Sequence, residues 1–266
     1  MDWDDAYANG AHIPGAEDFP LRWRDAADAF RAKHAPQVVR YGSGDRNTAD
    51  LFLPNDPPRG LAVFVHGGYW RAFEPRTWSH LAAGALARGW AFAMPGYTLC
   101  PDIRISGITR EVASSIKSLA NEVAGPIRLA GHSAGGHLVS RMICSPGPLE
   151  EVVAARIEHV VSISGLHDLR PLLKTEMNDV LGLDPEEAAA ESAALLRPRE
   201  GARVTCWVGA EERPEFVRQN ALLANIWTGL GAVTHTVEDP GRHHFDVIDA
   251  LADPGSALVA EWLGEN

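Results

Sequence analysis

The chain has 266 residues, 45% of them apolar and 22% charged, proportions that suit one large folded domain and exclude the disordered, collagen-like and coiled-coil classes. Its formal net charge of −11 repels phosphate backbones and anionic lipid, so neither nucleic acid nor a membrane surface is an expected partner. Three scattered cysteines (Cys100, Cys144 and Cys206) form no CxxC pair, the amino terminus has no signal-peptide pattern and no run reaches the ~18 apolar residues of a membrane span, so a reducing, cytoplasmic setting is expected.

Along the chain, short aliphatic runs alternate with helical patterns, which predicts an α/β fold with one domain over residues 1–266. Val38 to Tyr41 and Asp50 to Leu53 flank a Gly-Ser-Gly-Asp turn and predict an antiparallel hairpin at the sheet edge. Leu61 to Val65, Trp90 to Met94, Ile127 to Ala130, Val160 to Ile163, Val204 to Val208 and Val233 to Val237 read as parallel strands covered on both faces. Between them, apolar stripes predict helices over Arg76 to Arg88 and Ile108 to Val123. Asp184-Pro185-Glu186-Glu187 supplies an N-cap and a proline at the first helical position, so a further helix opens there, inside a lid or insertion over residues 166–200.

Gly131-His132-Ser133-Ala134-Gly135 matches GxSxG, a pattern expected about 0.1 times by chance in a chain with 25 glycines. It lies between an apolar strand and a helix-compatible stretch, the strand, sharp turn and helix that expose a nucleophilic serine. Ser133 is therefore the expected nucleophile. His66-Gly67-Gly68-Tyr69-Trp70 follows the strand ending at Val65, where an oxyanion loop belongs. The amides of Gly68, Tyr69 and Ala134 are expected to receive the oxyanion, with Gly67 making the turn and His66 structural.

Serine, acid and histidine are expected in that chain order. Glu211 and Glu212 stand at the end of the strand Val204 to Val208, and Glu212 is preferred as the acid. His243 and His244 follow the last strand, and one of them is the base. Neither an HExxH pattern nor a cysteine cluster accompanies them, so no metal is expected.

In combination, the HGGYW loop, the GHSAGG elbow over Gly131 to Gly136, Glu212-Arg213-Pro214-Glu215-Phe216 and His243-His244-Phe245-Asp246 resemble the arylformamidase (kynurenine formamidase) branch of the α/β hydrolases. Tyr7-Ala8-Asn9, Ile13-Pro14 and Asp168-Leu169-Arg170-Pro171-Leu172 extend the resemblance from about residue 7 to residue 250. It implies an α/β-hydrolase fold, with a mostly parallel sheet, an antiparallel N-terminal hairpin and helices on both faces. Matching on PEF and HFD selects Glu212 over Glu211 and His244 over His243. One departure stands out: the family has aspartate where this chain has Glu212.

The resemblance further implies a cofactor-independent serine hydrolase acting on an aryl formamide, the family substrate being N-formylkynurenine. A small acyl group and an aromatic leaving group fit an oxyanion loop that carries Tyr69 and Trp70, which are expected beside the substrate. The partner is a small acyl amide or ester. A short-chain carboxylesterase or thioesterase with the same triad is the alternative, and a hydrolase-fold sensor without turnover a third reading. Oligomeric state is not legible, a homo-oligomer being compatible with the sequence, and Arg71 is named as a candidate for holding a substrate carboxylate.

Overall fold

A computed structural model describes residues 2–264. The strands are β1 (Gln37–Arg40), β2 (Thr48–Phe52), β3 (Leu61–Val65), β4 (Ala91–Pro95), β5 (Ile127–His132), β6 (Cys144–Ser145), β7 (Ile157–Ile163), β8 (Arg197–Pro198), β9 (Arg203–Gly209) and β10 (Val233–Asp239). The helices are α1 (Trp3–Tyr7), α2 (Phe19–Arg31), α3 (Ala82–Ala87), α4 (Ile105–Glu122), α5 (Ala134–Arg141), α6 (Glu151–Ala154), α7 (Asn178–Leu181), α8 (Pro185–Ala190), α9 (Pro214–Gly229) and α10 (Ala257–Leu263).

Eight strands make one sheet in the order β1-β2-β4-β3-β5-β7-β9-β10. The pairs β1/β2 and β2/β4 are antiparallel and the rest parallel. This is the α/β-hydrolase architecture. Along β3 the side chains alternate between two cores, Leu61, Val63 and Val65 entering one and Ala62 and Phe64 the other. The first core is closed by α4, α5 and α9, the second by α2, α3 and α10, so apolar strands are sealed from water on both faces.

Two expectations need correction. β10 is not covered on both faces: it pairs only with β9, and Val233 is 60% exposed. An edge strand has no second neighbour, and the alternating Val233-Thr234-His235-Thr236-Val237 suits one solvated side. The helix expected over Arg76 to Arg88 is instead a 3₁₀ stretch, Pro75–Leu81, followed by α3. The chain leaves helical geometry at Trp78 (φ −119°), whose indole lies against His66 and Phe73. Side-chain packing outweighs one turn of backbone regularity there.

Residues 166–200 run from the end of β7 through a 3₁₀ turn (Arg170–Lys174), α7, α8 and a second 3₁₀ turn (Ala193–Leu195) to β8, which pairs with β6. Asp184 caps α8 by accepting the Glu187 amide at 2.8 Å. Leu166, Leu169, Leu172 and Leu181 are buried in the first core.

Candidate active site

At the end of β5 the chain reverses direction within one residue. Ser133 holds φ 55° and ψ −116°, a conformation costing about 1–3 kcal/mol for a residue with a side chain. The strain is held by hydrogen bonds, the Ser133 amide donating to Ile163 O at 2.8 Å and its carbonyl accepting from the His137 amide at 3.1 Å. The flanking glycines are obligatory on contact grounds. A Cβ on Gly131 would lie 2.2 Å from Gly135 O, and one on Gly135 would lie 1.9 Å from Val65 O. Crossing strand and helix therefore pack backbone to backbone beneath the serine.

The loop after β3 lies directly against this turn. A Cβ on Gly67 would come within 3.1 Å of the Ser133 Cβ. Gly68, Tyr69 and Trp70 then take three consecutive positive φ angles, 111°, 48° and 56°, and the turn is closed by the Arg71 amide donating to Gly68 O at 3.0 Å. Tyr69 is fixed by its hydroxyl, which donates to Tyr7 O at 2.7 Å and accepts from Asn9 Nδ2 at 3.3 Å. Ala134 is the first residue of α5, so its amide is among the donors that a helix leaves without an internal partner.

Glu212 and His244 come together from loops after β9 and β10. His244 Nδ1 donates to Glu212 Oε2 at 2.6 Å, and both side chains are almost wholly buried. Glu212 Oε1 accepts from the Gly209 amide at 2.9 Å and from Ser164 Oγ at 2.5 Å. Three donors thus hold the carboxylate. The imidazole is held in turn by packing against Phe216 (ring centroids 4.5 Å apart) and by His132, whose Nε2 donates to the His244 carbonyl at 2.9 Å. Burial, and next the charge of His244, push His132 well below the usual histidine range, so it stays neutral.

Ser133, His244, Gly67, Gly68 and Tyr69 all line one cavity of about 690 Å³. Trp23, Phe73, Trp78 and Phe245 form an aromatic wall, with Trp23 lying 5.3 Å from Trp78 and 5.5 Å from Phe245 between ring centroids. Another part of the lining is polar, with Asp4, Asn9, Arg71, Glu176 and Asp179. The amino-terminal segment is tied there by Tyr7, whose hydroxyl donates to Glu215 at 2.9 Å.

Several residues fall elsewhere than the sequence suggests. Trp70, expected beside the substrate, is not on the cavity wall: it is fully buried in the first core with its ring edge-on to His137 at 5.2 Å. Its neighbour Tyr69 faces the cavity, and a loop at this turn sends adjacent side chains to opposite sides. Glu211 is exposed, its amide donating to Arg242 O at 2.9 Å. His243 Nδ1 accepts from the Phe245 and Asp246 amides and caps the turn, while its ring lies against Phe19. His66 is buried between Tyr97 and Trp78 and pushed by burial to about 4. Sequence reasoning missed Ser164, Trp23, Glu176, Met177, Asp179 and Val180. Only Ser164 left a local sign, its position at the end of β7 in the row of strand ends that carries the site.

A sequence model of the alpha/beta hydrolase family matches residues 62–264. The kynurenine formamidase of Salmo salar is 29% identical over 245 residues, covering 86% of this chain and 82% of that protein. That of Danio rerio is 28% identical over 253 residues, covering 89% and 85%. A crystal structure from a Silicibacter species, provisionally described as a thioesterase, superimposes with a TM-score of 0.94 at 51% identity over 99% of both chains.

Proposed function

This chain belongs to the alpha/beta hydrolase family, and from that premise we propose that it is a serine hydrolase that cleaves small-acyl, formyl-type amides or esters of aromatic leaving groups. The observation that carries the reading is the buried Glu212–His244 bond opening into the cavity that Ser133 and the Gly67–Tyr69 loop line. In this mechanism Ser133 Oγ attacks the acyl carbon while His244 Nε2 takes its proton, and Glu212 fixes the imidazole tautomer and stabilises its charged form. The amides of Gly68, Tyr69 and Ala134 receive the oxyanion, with Gly67 making the turn. His244 then protonates the leaving group, and a water activated by the same histidine releases the acyl group as a carboxylic acid.

The substrate assignment rests on shape and on relatives. Tyr69 stands where an HGGG-type loop has a third glycine, and its hydroxyl is pinned to Tyr7 and Asn9, so it forms a fixed part of the cavity wall that Ser133 also lines. The aromatic wall offers a flat apolar surface to an aryl group, and two relatives covering most of the chain are kynurenine formamidases. We read residues 166–200 as a lid or insertion within a single domain, contributing Glu176, Met177, Asp179 and Val180 to the cavity.

The thioesterase name carried by the 51% identical structure favours a second reading, hydrolysis of a short acyl thioester by the same groups. Steady-state kcat/KM on formyl, acetyl, propionyl and butyryl derivatives of one aryl amine, beside matching esters and thioesters, separates them. An added methylene in a tight acyl site costs on the order of 10- to 200-fold, so a steep decline from formyl is expected. Inert formamides beside rapid thioester turnover would replace the first reading with the second.

A further inference from the structure

Glu215, in the first turn of α9, is a carboxylate only 4% exposed that takes no part in the chemical steps. Its Oε1 accepts from the Tyr7 hydroxyl at 2.9 Å, from Gln219 Nε2 at 2.9 Å and from Arg218 Nη2 at 2.7 Å, and its Oε2 accepts from Arg218 Nε at 2.7 Å. Burial and then the charge of Glu215 push the Tyr7 phenol up, so its hydroxyl stays a donor. Tyr7 is the buried residue of α1, and its main-chain carbonyl accepts from the Tyr69 hydroxyl at 2.7 Å. A line of contacts thus runs from the start of α9 through Tyr7 to the loop after β3. That loop needs an outside hold. Tyr69 and Trp70 keep φ angles of 48° and 56°, which persist in residues with side chains only where the surroundings over-determine them. Trp70 is fixed by burial in the first core and by its carbonyl, which accepts the Cys100 amide at 2.8 Å. Tyr69 lies at the cavity and is fixed through its hydroxyl. The same turn of α9 also bears on the base, because Phe216 packs against both Tyr7 and His244, at 6.0 Å and 4.5 Å between ring centroids.

Resting on the serine-hydrolase reading, in which the Tyr69 amide receives the oxyanion, we propose that Tyr7 and Glu215 are positioning residues that brace the oxyanion loop from the amino-terminal segment and register it against the Glu212–His244 pair. Their effect is carried by the Tyr69 main chain. With the brace cut, Tyr69 relaxes from positive φ toward the ordinary negative range, and its amide leaves the position where charge develops. A donor that is displaced rather than removed costs less than the about 10²- to 10³-fold of a lost oxyanion contact, so an effect of about tenfold is expected.

The test compares inhibition by 2,2,2-trifluoroacetophenone, whose carbonyl carbon takes the serine oxygen while the serine proton passes to the histidine and the carbonyl oxygen becomes an oxyanion, with inhibition by acetophenone, which binds without that adduct. The ratio of the two inhibition constants isolates what the oxyanion contacts contribute, and a ratio within each variant is not imitated by a general loss of folding. Tyr7→Phe keeps the buried ring and leaves Glu215 its Gln219 and Arg218 donors, so it should fold, as urea midpoints will show. In Tyr7→Phe, and likewise in Tyr69→Phe, preference for the trifluoroketone should fall about tenfold, with kcat/KM on 4-nitrophenyl acetate falling in parallel. Because both changes cut one brace, the double variant should lie within about twofold of either single one. Glu215→Gln, where it folds, should shift the ratio in the same direction. A Tyr7→Phe ratio within twofold of wild type, even with a lowered urea midpoint, overturns the inference, as do effects of Tyr7→Phe and Tyr69→Phe that multiply in the double variant. Ser133→Ala separates the two levels of the argument: if it is inactive and Tyr7→Phe is unchanged, the brace alone fails, whereas full turnover by Ser133→Ala removes the serine-hydrolase reading and the brace with it.

Discussion

Replacing Glu212 by glutamine changes one atom of a side chain that is wholly buried, yet the proton arrangement around it must invert. In the wild-type protein Oε1 accepts from Ser164 Oγ and the Gly209 amide, and Oε2 accepts from His244 Nδ1. A glutamine satisfies the two donors with its carbonyl, which turns its NH₂ toward His244 Nδ1. The imidazole must then accept there and carry its proton on Nε2, where it can no longer take one from Ser133. An amide in place of the acid costs a triad about 10⁴-fold in kcat, or roughly 5.5 kcal/mol of transition-state stabilisation. Glu211→Gln, exposed and one residue away, should stay within twofold. Ser164→Ala is the graded control: it removes one of three donors and should cost about 1.5–3 kcal/mol of stability, with activity reduced by about an order of magnitude. Steady-state kinetics on an activated aryl ester, with circular dichroism and urea midpoints to establish folding, measures all three. A folded Glu212→Gln protein retaining more than a tenth of wild-type kcat, or Glu211→Gln as the damaging change, would refute the argument.

An organophosphonate is expected to label Ser133 alone, read by peptide mass mapping, and Ser133→Ala to lose at least ~10³-fold in kcat while folding normally. Ser133→Gly should be equally inactive but more stable than Ser133→Ala by about 1 kcal/mol, because glycine relieves the strained φ of 55°. His244→Ala should abolish turnover, whereas His243→Ala, which removes a turn cap, should change thermal stability more than kcat. Stability should fall with acid: burial pushes His66, His137 and His159 to about 4 and His167 to about 3. Below about pH 6.5 the unfolded chain binds protons that the folded chain refuses, so stability is full above that pH and is lost as the pH falls toward 4, at up to about 1.4 kcal/mol per pH unit for each histidine. Urea midpoints at pH 7, 6 and 5 check the sign, and a midpoint that is flat or rises on acidification contradicts it.

The sequence by itself determined whatever depends on local backbone chemistry. Glycines at 131 and 135 are needed because a Cβ at either would strike main chain, so the elbow is written in residue spacing alone. The hairpin, the order of apolar strands and the capped start of α8 are equally local, since turn residues, buried runs and an N-cap act within a few positions. Tertiary structure decided matters in which residues far apart in the chain meet. Local chemistry does not separate Glu211 from Glu212, which the sequence distinguishes only through its resemblance to a family pattern, whereas the fold separates them physically by bringing Ser164, at the end of β7, beside Glu212. Tyr69 and Trp70 are both aromatic loop residues, and only the placement of Tyr7 and Asn9 keeps one at the cavity while the other sinks into the core. Trp23 carries no pattern of its own, and it becomes part of the cavity wall because α2 packs across the 3₁₀ stretch that contains Trp78. Regularity such as that expected over Arg76 to Arg88 yields in the same way, because burying a large indole outweighs the cost of one broken helical turn.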